Sequence, residues 1–203
     1  MLLIGAGGIC SSAAFYLAGA GFGKIGIVDA DTVEVSNLHR QIIHTTEREG
    51  MAKAESAVLA LKAFNPLVKY ESYVEEFSPE NAVELVSKYD IVLDATDNAQ
   101  THYLANDACV IAKKPLVAGT AIRWDGQITV FGYETEAACY RCLFPVPTPP
   151  ELMEGCSDSG VLGVIPGLVG QLEALEAVKI ALGMKGVLSK RMLLFDGKES
   201  KFR

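Results

Sequence analysis

Residues 2–10, LLIGAGGIC, join a short apolar run to a glycine-rich loop. Gly5, Gly7 and Cys10 occupy the three positions of the pattern G-x-G-x-x-G, which follows the first strand and opens the first helix in many α/β folds. The third position governs close packing of helix and strand, and a residue as small as cysteine is compatible with that. The stretch therefore predicts a strand, a tight turn and a helix whose first amides face a phosphate group.

Residues 24–29, KIGIVD, are typical of a second strand, which ends at Asp29, 22 residues after Gly7. An acidic residue at that place is positioned to accept hydrogen bonds from ribose hydroxyls. The pattern predicts a nucleotide site without saying which nucleotide binds, and NAD is the common case. The alternative is a glycine turn that serves packing alone.

Short apolar runs alternate with longer segments of helical periodicity over the first 120 residues. This order predicts a mostly parallel sheet with helices on both faces, in which near-continuous apolar strands are buried on both sides. The predicted strands are MLLI (1–4), KIGIVD (24–29), KYESYV (69–74), DIVLDAT (90–96) and KPLVAGT (114–120). The predicted helices are in 9–21, 51–66, 78–89 and 98–114.

The third of these helices is predicted to start with Ser78 as N-cap and Pro79 at its first helical position. After residue 120 the pattern changes. GQITVFGY (126–133) and RMLLFD (191–196) predict strands of an antiparallel C-terminal extension. The last two segments are a proline-rich crossing, PVPTPPE (145–151), and an amphipathic helix, LVGQLEALEAVKIALG (168–183). We expect one domain over residues 1–203, with an α/β, Rossmann-like, doubly wound sheet.

The composition excludes several classes of function. The net charge is −7 and the isoelectric point is about 5.0, whereas nucleic-acid binding requires clustered Lys and Arg. Five unevenly spaced cysteines are typical of a reducing cytosol rather than of a disulfide framework. No stretch has the pattern of a signal peptide or of a membrane span. We expect a soluble, cytoplasmic protein without nucleic-acid or membrane partners.

The polar segment after Asp29 carries two cations, Arg40 and Lys53. A triphosphate is more negatively charged than the pyrophosphate of a dinucleotide, so two fixed cations favour ATP over NAD. Little of the chain is left for the second domain that a dehydrogenase usually needs. The alternative is that both cations are ordinary solvated surface charges.

The fourth predicted strand ends in DATDN, residues 94–98. Asp94 and Asp97 are therefore expected at the carboxyl edge of the sheet, where open α/β folds bind ligands. A carboxylate there can hold Mg²⁺, which otherwise takes water and phosphate oxygens as ligands. The alternative is that Asp97 caps the helix that begins near Ala99.

Six motifs resemble those of the ThiF/MoeB superfamily, adenylating enzymes related to ubiquitin-activating enzymes. They are GAGGIC (5–10), VDADTVEVSNLHRQ (28–41), GMAKAESA (50–57), DATDN (94–98), CYRCLFP (139–145) and CSDSGVLGVIPGLVG (156–170). The motifs run in the family's order over essentially the whole chain, and the Ser-Asn-Leu-x-Arg-Gln run and the cysteine pair are far more specific than the glycine loop. The likeness is greatest to MoeB-type enzymes and to eukaryotic molybdopterin-synthase sulfurylases.

The resemblance implies an ATP-dependent adenylyltransferase. A small ubiquitin-like sulfur-carrier protein ending in Gly-Gly would attack the α-phosphorus of ATP with its terminal carboxylate, giving an acyl-adenylate and pyrophosphate. That carboxylate is ionised near neutral pH, so no general base is needed. The resemblance also implies a homodimer, a sulfurtransferase partner, and a place in molybdenum-cofactor, thiamine or thionucleotide synthesis, including tRNA thiolation.

The resemblance assigns the nucleotide and phosphate contacts to residues matching the family motifs. These are Gly5, Gly7, Gly8, Asp29, Ser36, Asn37, Arg40, Gln41, Lys53, Asp97 and Asn98. Asp29 would bind the ribose, Arg40 and Lys53 the phosphates, and Asp97 the Mg²⁺ ion. Arg40, Lys53 and Asp97 are accordingly the expected catalytic residues, together with Cys156.

Cys139 and Cys142 have the spacing of half a structural zinc site. From the residues alone the pair could serve packing, redox chemistry or zinc, although Pro145 argues against the redox motif that opens a helix. The resemblance implies zinc, with the other two ligands supplied by a second cysteine pair after the last strand.

Cys156 lies in the polar loop MEGCSDSG (153–160), ahead of an apolar helical segment whose N-terminus would lower the pKa of its thiol. In some relatives the matching cysteine forms a thioester or an acyl-disulfide with the modifier, and the alternative is a structural loop thiol. Cys10 and Cys109 fall in predicted helices and are expected to be buried.

The sequence departs from the family pattern at both ends. Family members have a helix before the first strand, with an arginine that reaches the partner subunit's nucleotide, and the second cysteine pair near their C-terminus. Since neither is found here, we expect both ends to be shortened relative to the family. Two other functions therefore stay open: an NAD-dependent Rossmann oxidoreductase and a catalytically inactive relative.

Overall fold

Eight strands and six α-helices are present in the residues that the computed structural model describes, 1–134, 137–147 and 160–203. The strands are Leu2–Ile4 (β1), Lys24–Val28 (β2), Lys69–Tyr73 (β3), Val92–Asp94 (β4), Leu116–Ile122 (β5), Asp125–Phe131 (β6), Met192–Asp196 (β7) and Lys201–Phe202 (β8). The helices are Gly8–Gly19 (α1), Lys53–Phe64 (α2), Ala82–Ser87 (α3), Ala99–Ala112 (α4), Tyr140–Leu143 (α5) and Val164–Ala181 (α6). Two short 3-10 helices, Val35–Asn37 and Thr46–Arg48, lie between β2 and α2.

The strands form one sheet in the order β3-β2-β1-β4-β5-β6-β7-β8. Strands β1 to β5 pair in parallel, and β6, β7 and β8 extend the sheet with antiparallel pairing. The predicted α/β class, with a mostly parallel sheet and an antiparallel C-terminal extension, is confirmed. Strand β8 was not predicted, because two residues carry no periodic signal.

The residues of β1 alternate between two cores, one on each face of the sheet. Leu3 packs into the larger core, together with side chains of α1, α2 and α6. Leu2 and Ile4 pack into the second core, with side chains of α3 and α4. Because β1 is buried on both faces, its carboxyl end is fixed by the packing of both layers, and the glycine loop begins from a rigid support.

Helices α1 and α6 cross at close range beside this loop. A Cβ added to Gly170 would lie 2.1 Å from the carbonyl oxygen of Ile9, and the Ser12 hydroxyl donates to the carbonyl of Gly167 at 2.7 Å. Cys10 has no exposed surface and packs in the same core. The expectation that the third position of the glycine pattern serves packing is confirmed for Cys10.

Two predicted helix starts are wrong. Helix α3 begins at Ala82 rather than after Ser78, because the Asn81 side chain accepts from the Ser78 amide at 2.9 Å and donates to the carbonyl of Glu76 at 2.8 Å, which holds residues 78–81 in a turn. Helix α6 begins at Val164, four residues earlier than Leu168. Pro166 is compatible with the first turn, because proline has no amide N–H and the first amides of a helix have no intrahelical acceptor.

Helix α5, one turn long, was not predicted. The predicted proline crossing leaves the described residues after residue 147, and Cys156 also lies outside them. In the part of the chain that the structure describes, no helix combines the length and apolar character needed to cross a membrane.

Candidate functional site

A cavity of about 710 Å³ lies at the carboxyl ends of the parallel strands β1, β2, β4 and β5. This volume falls in the range typical of ligand pockets. All of the predicted nucleotide and phosphate residues line it except Ser36. The Ser36 hydroxyl is exposed and donates to the Glu34 carboxylate at 3.2 Å, outside the cavity lining.

The glycine loop forms one wall of this cavity. Gly5 has φ +87°, a left-handed conformation that favours glycine, and a Cβ there would lie 3.2 Å from the Thr96 side chain. Helix α1 begins at Gly8, which lines the cavity, and a Cβ on Gly8 would lie 3.1 Å from the ring of Pro166. The helix therefore presents the amides of its first turn, with their partial positive charge, at the cavity wall.

Asp29 follows β2 and holds the backbone around it with both carboxylate oxygens. One oxygen accepts from the Ala6 amide at 2.7 Å, and the other accepts from the Asp31 amide at 2.8 Å. Burial raises the pKa of this carboxyl, although the two backbone hydrogen bonds oppose the shift. Each oxygen has a second lone pair, so the carboxylate can still accept from the hydroxyls of a ligand.

The two predicted cations line the same cavity from different segments. Arg40 donates to the Asn37 side-chain oxygen at 2.7 Å, which fixes its guanidinium beside the 3-10 helix Val35–Asn37. Lys53, the first residue of α2, is only 7% exposed, and its ammonium lies 2.8 Å from the Asp31 carboxylate. The alternative of an ordinary solvated surface charge is wrong for Lys53.

Gln41 presents a buried polar atom at the cavity wall. Its side chain is 5% exposed, and its Oε1 has no hydrogen-bond partner among the described residues. A buried acceptor without a partner costs free energy, which a ligand donor would recover. Gln41 Oε1 is therefore a candidate contact for a bound molecule.

The turn after β4 places an exposed carboxylate in the cavity lining. Asp97 lines the cavity, while the neighbouring Asn98 is the N-cap of α4 and accepts from the Gln100 amide at 2.9 Å. The alternative that Asp97 caps this helix is therefore wrong, because Asn98 has that role. The Asp97 carboxylate remains available to a metal ion or another ligand.

Beneath this turn lies a buried pair that the sequence did not indicate. Asp94 is fully buried, and its carboxylate lies 2.6 Å from Nδ1 of His102, which is 4% exposed and lines the cavity. The other carboxylate oxygen accepts from the Thr96 hydroxyl at 2.7 Å. Burial acts to lower the pKa of His102, but the Asp94 carboxylate outweighs it, so the pKa is raised.

The cysteine pair lies apart from the cavity, on α5. The sulfurs of Cys139 and Cys142 are 3.5 Å apart, close to the roughly 3.8 Å expected between two sulfurs that bind one tetrahedral zinc ion. Burial acts to raise the pKa of Cys139, but hydrogen bonds from the Cys142 thiol and from backbone amides outweigh it and lower the pKa. Among the described residues, no group of three or more His, Cys, Asp or Glu side chains is arranged to hold a metal ion.

Two of the remaining cysteines, Cys10 and Cys109, are not among the described residues that line the cavity. Cys10 and Cys109 are buried, as expected, and burial raises the pKa of both thiols. Neither thiol is therefore suited to nucleophilic chemistry. Cys156, the candidate covalent residue, lies outside the described residues.

The sequence reasoning missed several residues of the site. Asp31 and Glu34 line the cavity, and His44 and His102 are buried next to it. The contacts of Asp31 with Lys53 and of Asp94 with His102 join residues that follow no fixed spacing, so no local motif marks them. A buried histidine or an acidic loop residue becomes informative only when the fold shows what it contacts.

The ThiF family model matches residues 1–203. "Adenylyltransferase and sulfurtransferase MOCS3" of Anopheles gambiae is 51% identical over 203 residues, which are 100% of this chain and 46% of that protein. The protein of the same name from Xenopus laevis is 48% identical and is covered to 45%. The chain thus spans about half the length of the curated relatives it matches.

Solved structures with low sequence identity share the fold. The crystal structure of E. coli MccB with ATP matches with a TM-score of 0.83 at 19% identity, covering 100% of this chain and 61% of that chain. The crystal structure of PaaA matches with a TM-score of 0.77 at 20% identity, covering 100% of this chain and 62% of that chain. At such identities the likeness shows the architecture alone.

Proposed function

The chain belongs to the ThiF family, and on that premise we propose that it catalyses ATP-dependent adenylation of a small ubiquitin-like sulfur-carrier protein. The C-terminal glycine of the carrier accepts the adenylyl group of ATP, and the products are the carrier's acyl-adenylate and pyrophosphate. The observation that carries the proposal is the shared cavity, in which the glycine loop, Asp29, the two cations and Asp97 meet from separate segments of the chain. Relatives that are about half identical in sequence carry the name adenylyltransferase, which supports the proposal.

Each group in the cavity has a role in this proposal. The amides of the glycine loop and of the first turn of α1 bind phosphate oxygens, and Asp29 accepts from the ribose hydroxyls. Arg40 and Lys53 neutralise the charge that develops on the phosphates, with Asn37 orienting Arg40. Asp97 would hold Mg²⁺, which supplies further charge neutralisation at the phosphates.

The chemistry requires positioning and charge neutralisation rather than acid–base catalysis. The nucleophile is the carrier's terminal carboxylate, which is already ionised near neutral pH. It forms a bond to the α-phosphorus, and the bond from that phosphorus to the pyrophosphate leaving group breaks. The fixed cations and oriented amides of the cavity suit such a step, since they need no reorganisation when charge moves.

A second cavity offers a route for the carrier's tail. It has a volume of about 320 Å³ and shares Thr120 and Ile122 with the first cavity. Leu194, Phe195 and Arg203 also line it, together with Asp125 and Asp196, so the groove combines apolar surface with charges of both signs. We propose that an extended C-terminal segment lies in this groove and brings its terminal glycine to the nucleotide.

The cysteine pair and Cys156 have separate roles in the proposal. Cys139 and Cys142 supply two ligands of a structural zinc ion, and the sulfur separation fits that assignment. The Cys156 thiolate would attack the acyl-adenylate to form a thioester, with AMP as the leaving group; if Cys156 carries a persulfide received from a sulfurtransferase, the same attack gives an acyl-disulfide and AMP. A reducible carrier adduct that persists in Cys156→Ala would contradict the covalent role.

The wider setting is also part of the proposal. We infer a cytoplasmic homodimer that cooperates with a sulfurtransferase; the relatives' name, which includes the word sulfurtransferase, supports the last of these points. The pathway would be molybdenum-cofactor biosynthesis or tRNA thiolation, both of which use sulfur carried on a small protein.

ATP–pyrophosphate exchange in the presence of a Gly-Gly-ended ubiquitin-like carrier tests the proposal. Asp97→Ala and Arg40→Ala should each nearly abolish exchange while the protein stays folded, because each removes charge stabilisation at the phosphates. Asp90→Asn is the matched control, since Asp90 is exposed at the opposite end of β4. Near-normal exchange in either cavity variant would contradict the assignment.

Measuring NAD binding and ATP–pyrophosphate exchange on the same protein distinguishes adenylation from hydride transfer. The NAD-dependent alternative predicts tight NAD binding and no exchange, whereas adenylation predicts carrier-dependent exchange. The buried cation Lys53 at the cavity favours the triphosphate. An inactive relative would show neither activity.

A further inference from the structure

The Ala6 residue of the glycine loop is held by hydrogen bonds on both its amide and its carbonyl. Its amide donates to the Asp29 carboxylate at 2.7 Å, and its carbonyl oxygen lies 2.9 Å from Nε2 of His44. His44 is 5% exposed and lies between the two 3-10 helices that precede α2. The loop is therefore fixed from two segments that are distant in sequence.

The partners of His44 define the state of its ring. A carbonyl oxygen can only accept, so Nε2 carries the hydrogen, and Nδ1 accepts from the Ser56 hydroxyl at 2.8 Å. Burial lowers the pKa of His44, and Arg48 and Lys53 lower it further, whereas its bond to the Ala6 carbonyl and the charge of Asp29 oppose this. The neutral ring satisfies both contacts at once.

Ser56 connects this arrangement to the phosphate cation. It lies on α2 three residues after Lys53, in the first turn of that helix. Arg48 donates to the backbone carbonyl of Ser56 and, at 3.0 Å, to that of Ile43, which fixes the chain on both sides of His44. One continuous set of hydrogen bonds thus runs from the glycine loop through His44 to the helix that carries Lys53.

The geometry points to His44 as a positioning residue for nucleotide binding, which sets the orientation of the Ala6–Gly7 peptide in register with Lys53. The carbonyl and the amide of one planar peptide point in opposite directions. Holding the Ala6 carbonyl on His44 directs the Gly7 amide away from His44, and Gly7 lines the cavity. Without His44, the peptide is free to turn its carbonyl dipole towards the phosphates. This inference rests on the proposed function, since it concerns the same nucleotide site.

Two variants of His44 distinguish the effect of its hydrogen bonds from the effect of the size of its ring. His44→Phe keeps a buried aromatic ring but leaves the Ala6 carbonyl and the Ser56 hydroxyl without their partner. His44→Gln retains an amide donor and an acceptor on one side chain. Loss of one partner of a buried hydrogen bond leaves the other partner unsatisfied, so we expect His44→Phe to weaken MgATP binding about 10-fold and His44→Gln to stay within about 3-fold of the wild type.

Asn65→Ala is the matched control for loss of structure. The Asn65 side chain donates to the carbonyl of Ala18 at 2.8 Å and ties α2 to α1 at the end far from the cavity. We expect this variant to lower the melting temperature while the dissociation constant for MgATP stays within about 2-fold, because its lost bond does not support the glycine loop. A purely structural role of His44 would make the two positions behave alike.

Isothermal titration of MgATP into the whole protein, with a thermal melt of each variant, decides the question. Wild-type affinity in folded His44→Phe would overturn the inference, as would equal weakening in His44→Gln and His44→Phe. If His44→Phe does not fold, Ser56→Ala takes its place: weaker MgATP binding supports the inference, and unchanged binding overturns it. Failure of the wild type to bind MgATP would instead overturn the proposed function.

Discussion

The cavity edge of the sheet and the cysteine segment, residues 137–147, hold their side chains in place by different means. At the cavity edge, polar side chains such as Asp94 are fully buried and bonded at both carboxylate oxygens. In the cysteine segment, most contacts are aromatic, through Tyr140, or exposed, as in the ion pair of Arg141 with Asp107, although the Tyr140 amide also donates to the buried Asn106 side chain at 2.7 Å.

The difference indicates two separate purposes: the cavity edge positions the groups that take part in the reaction, and the cysteine segment is attached to the surface of the fold. Buried, fully bonded polar groups fix atoms within narrow limits, and that precision suits groups that must meet phosphates. Aromatic packing and surface ion pairs fix a segment less narrowly, and here their nearest approach to the cavity is the Tyr140 ring, whose centroid lies 5.8 Å from that of His102. Substitutions at the cavity edge should therefore change the reaction, and substitutions in the cysteine segment should change mainly stability.

Lys53→Ala should have the largest effect. The substitution removes a buried positive charge from the cavity, and we expect carrier-dependent ATP–pyrophosphate exchange to fall about 100-fold or more. Lys62→Ala is the matched control, because it removes the same side chain from an exposed position on the same helix. An equal loss in both variants would mean that general charge, rather than placement, governs exchange.

The fold was predictable because its signals are local and repeated. Apolar runs ending in Gly, Asp or Thr defined β1, β2, β4 and β5, and a weak alternation indicated β3. The change after residue 120 defined the antiparallel extension. Helix α5 was missed because its single turn is held by the ring of Tyr140 against α4 and β6, which is a tertiary contact. The start of α3 was misplaced because Asn81 outcompeted Ser78.

The site was predictable only where a motif fixes the spacing. The glycine loop and Asp29 follow a known pattern, and the structure brings them to one cavity. The bond from Lys53 to Asp31 and the contact of His44 with Ala6 join residues 22 and 38 positions apart in the chain, which no local motif links. The roles of these residues depend on how deeply they are buried and on which charges lie near them, and both are determined only when the chain folds.

Glu173→Gln tests whether the buried carboxyl of Glu173, beneath the cavity, lowers the stability of the protein when it ionises. Glu173 is fully buried on α6 against Gly119, and neither carboxylate oxygen has a hydrogen-bond partner among the described residues. Burial raises the pKa of this carboxyl well above its usual range and Asp94 adds to the shift, while the nearby backbone amide of Gly119 partly opposes it. The folded state therefore holds a proton that the unfolded state releases.

The sign of the pH dependence follows from this difference. The stability linked to the proton is fully present below the unfolded pKa of about 4.3 and is lost, at about 1.4 kcal/mol per pH unit, as pH rises towards the folded pKa. Glu173→Gln cannot ionise, so its melting temperature should exceed that of the wild type at pH 7, and the gap should close near pH 4. Thermal melts across this range check the prediction.

Glu176→Gln is the control with the opposite expectation. Glu176 is buried on the same helix, but it accepts from the Leu188 amide at 2.8 Å and pairs with Lys179. Neutralising it should lower the melting temperature at neutral pH, since a paired buried charge loses its partner. A higher melting temperature in both variants would show that α6 carries excess negative charge and that the isolation of Glu173 is not the cause.

Arg141→Ala should have the smallest effect. Arg141 donates two hydrogen bonds to Asp107, at 2.8 and 2.6 Å, but both side chains remain largely exposed, so the melting temperature should fall by about 2 °C or less. Tyr140→Leu should lower the melting temperature further, because the ring centroid of Tyr140 lies within 4.9 Å of the ring centroids of both Tyr103 and Phe144. Exchange activity should be unchanged in Arg141→Ala, because the ion pair lies outside the cavity. A loss of exchange in Arg141→Ala approaching that of Lys53→Ala would mean that the cysteine segment positions reacting groups through α4. The idea that this segment affects mainly stability would then be wrong.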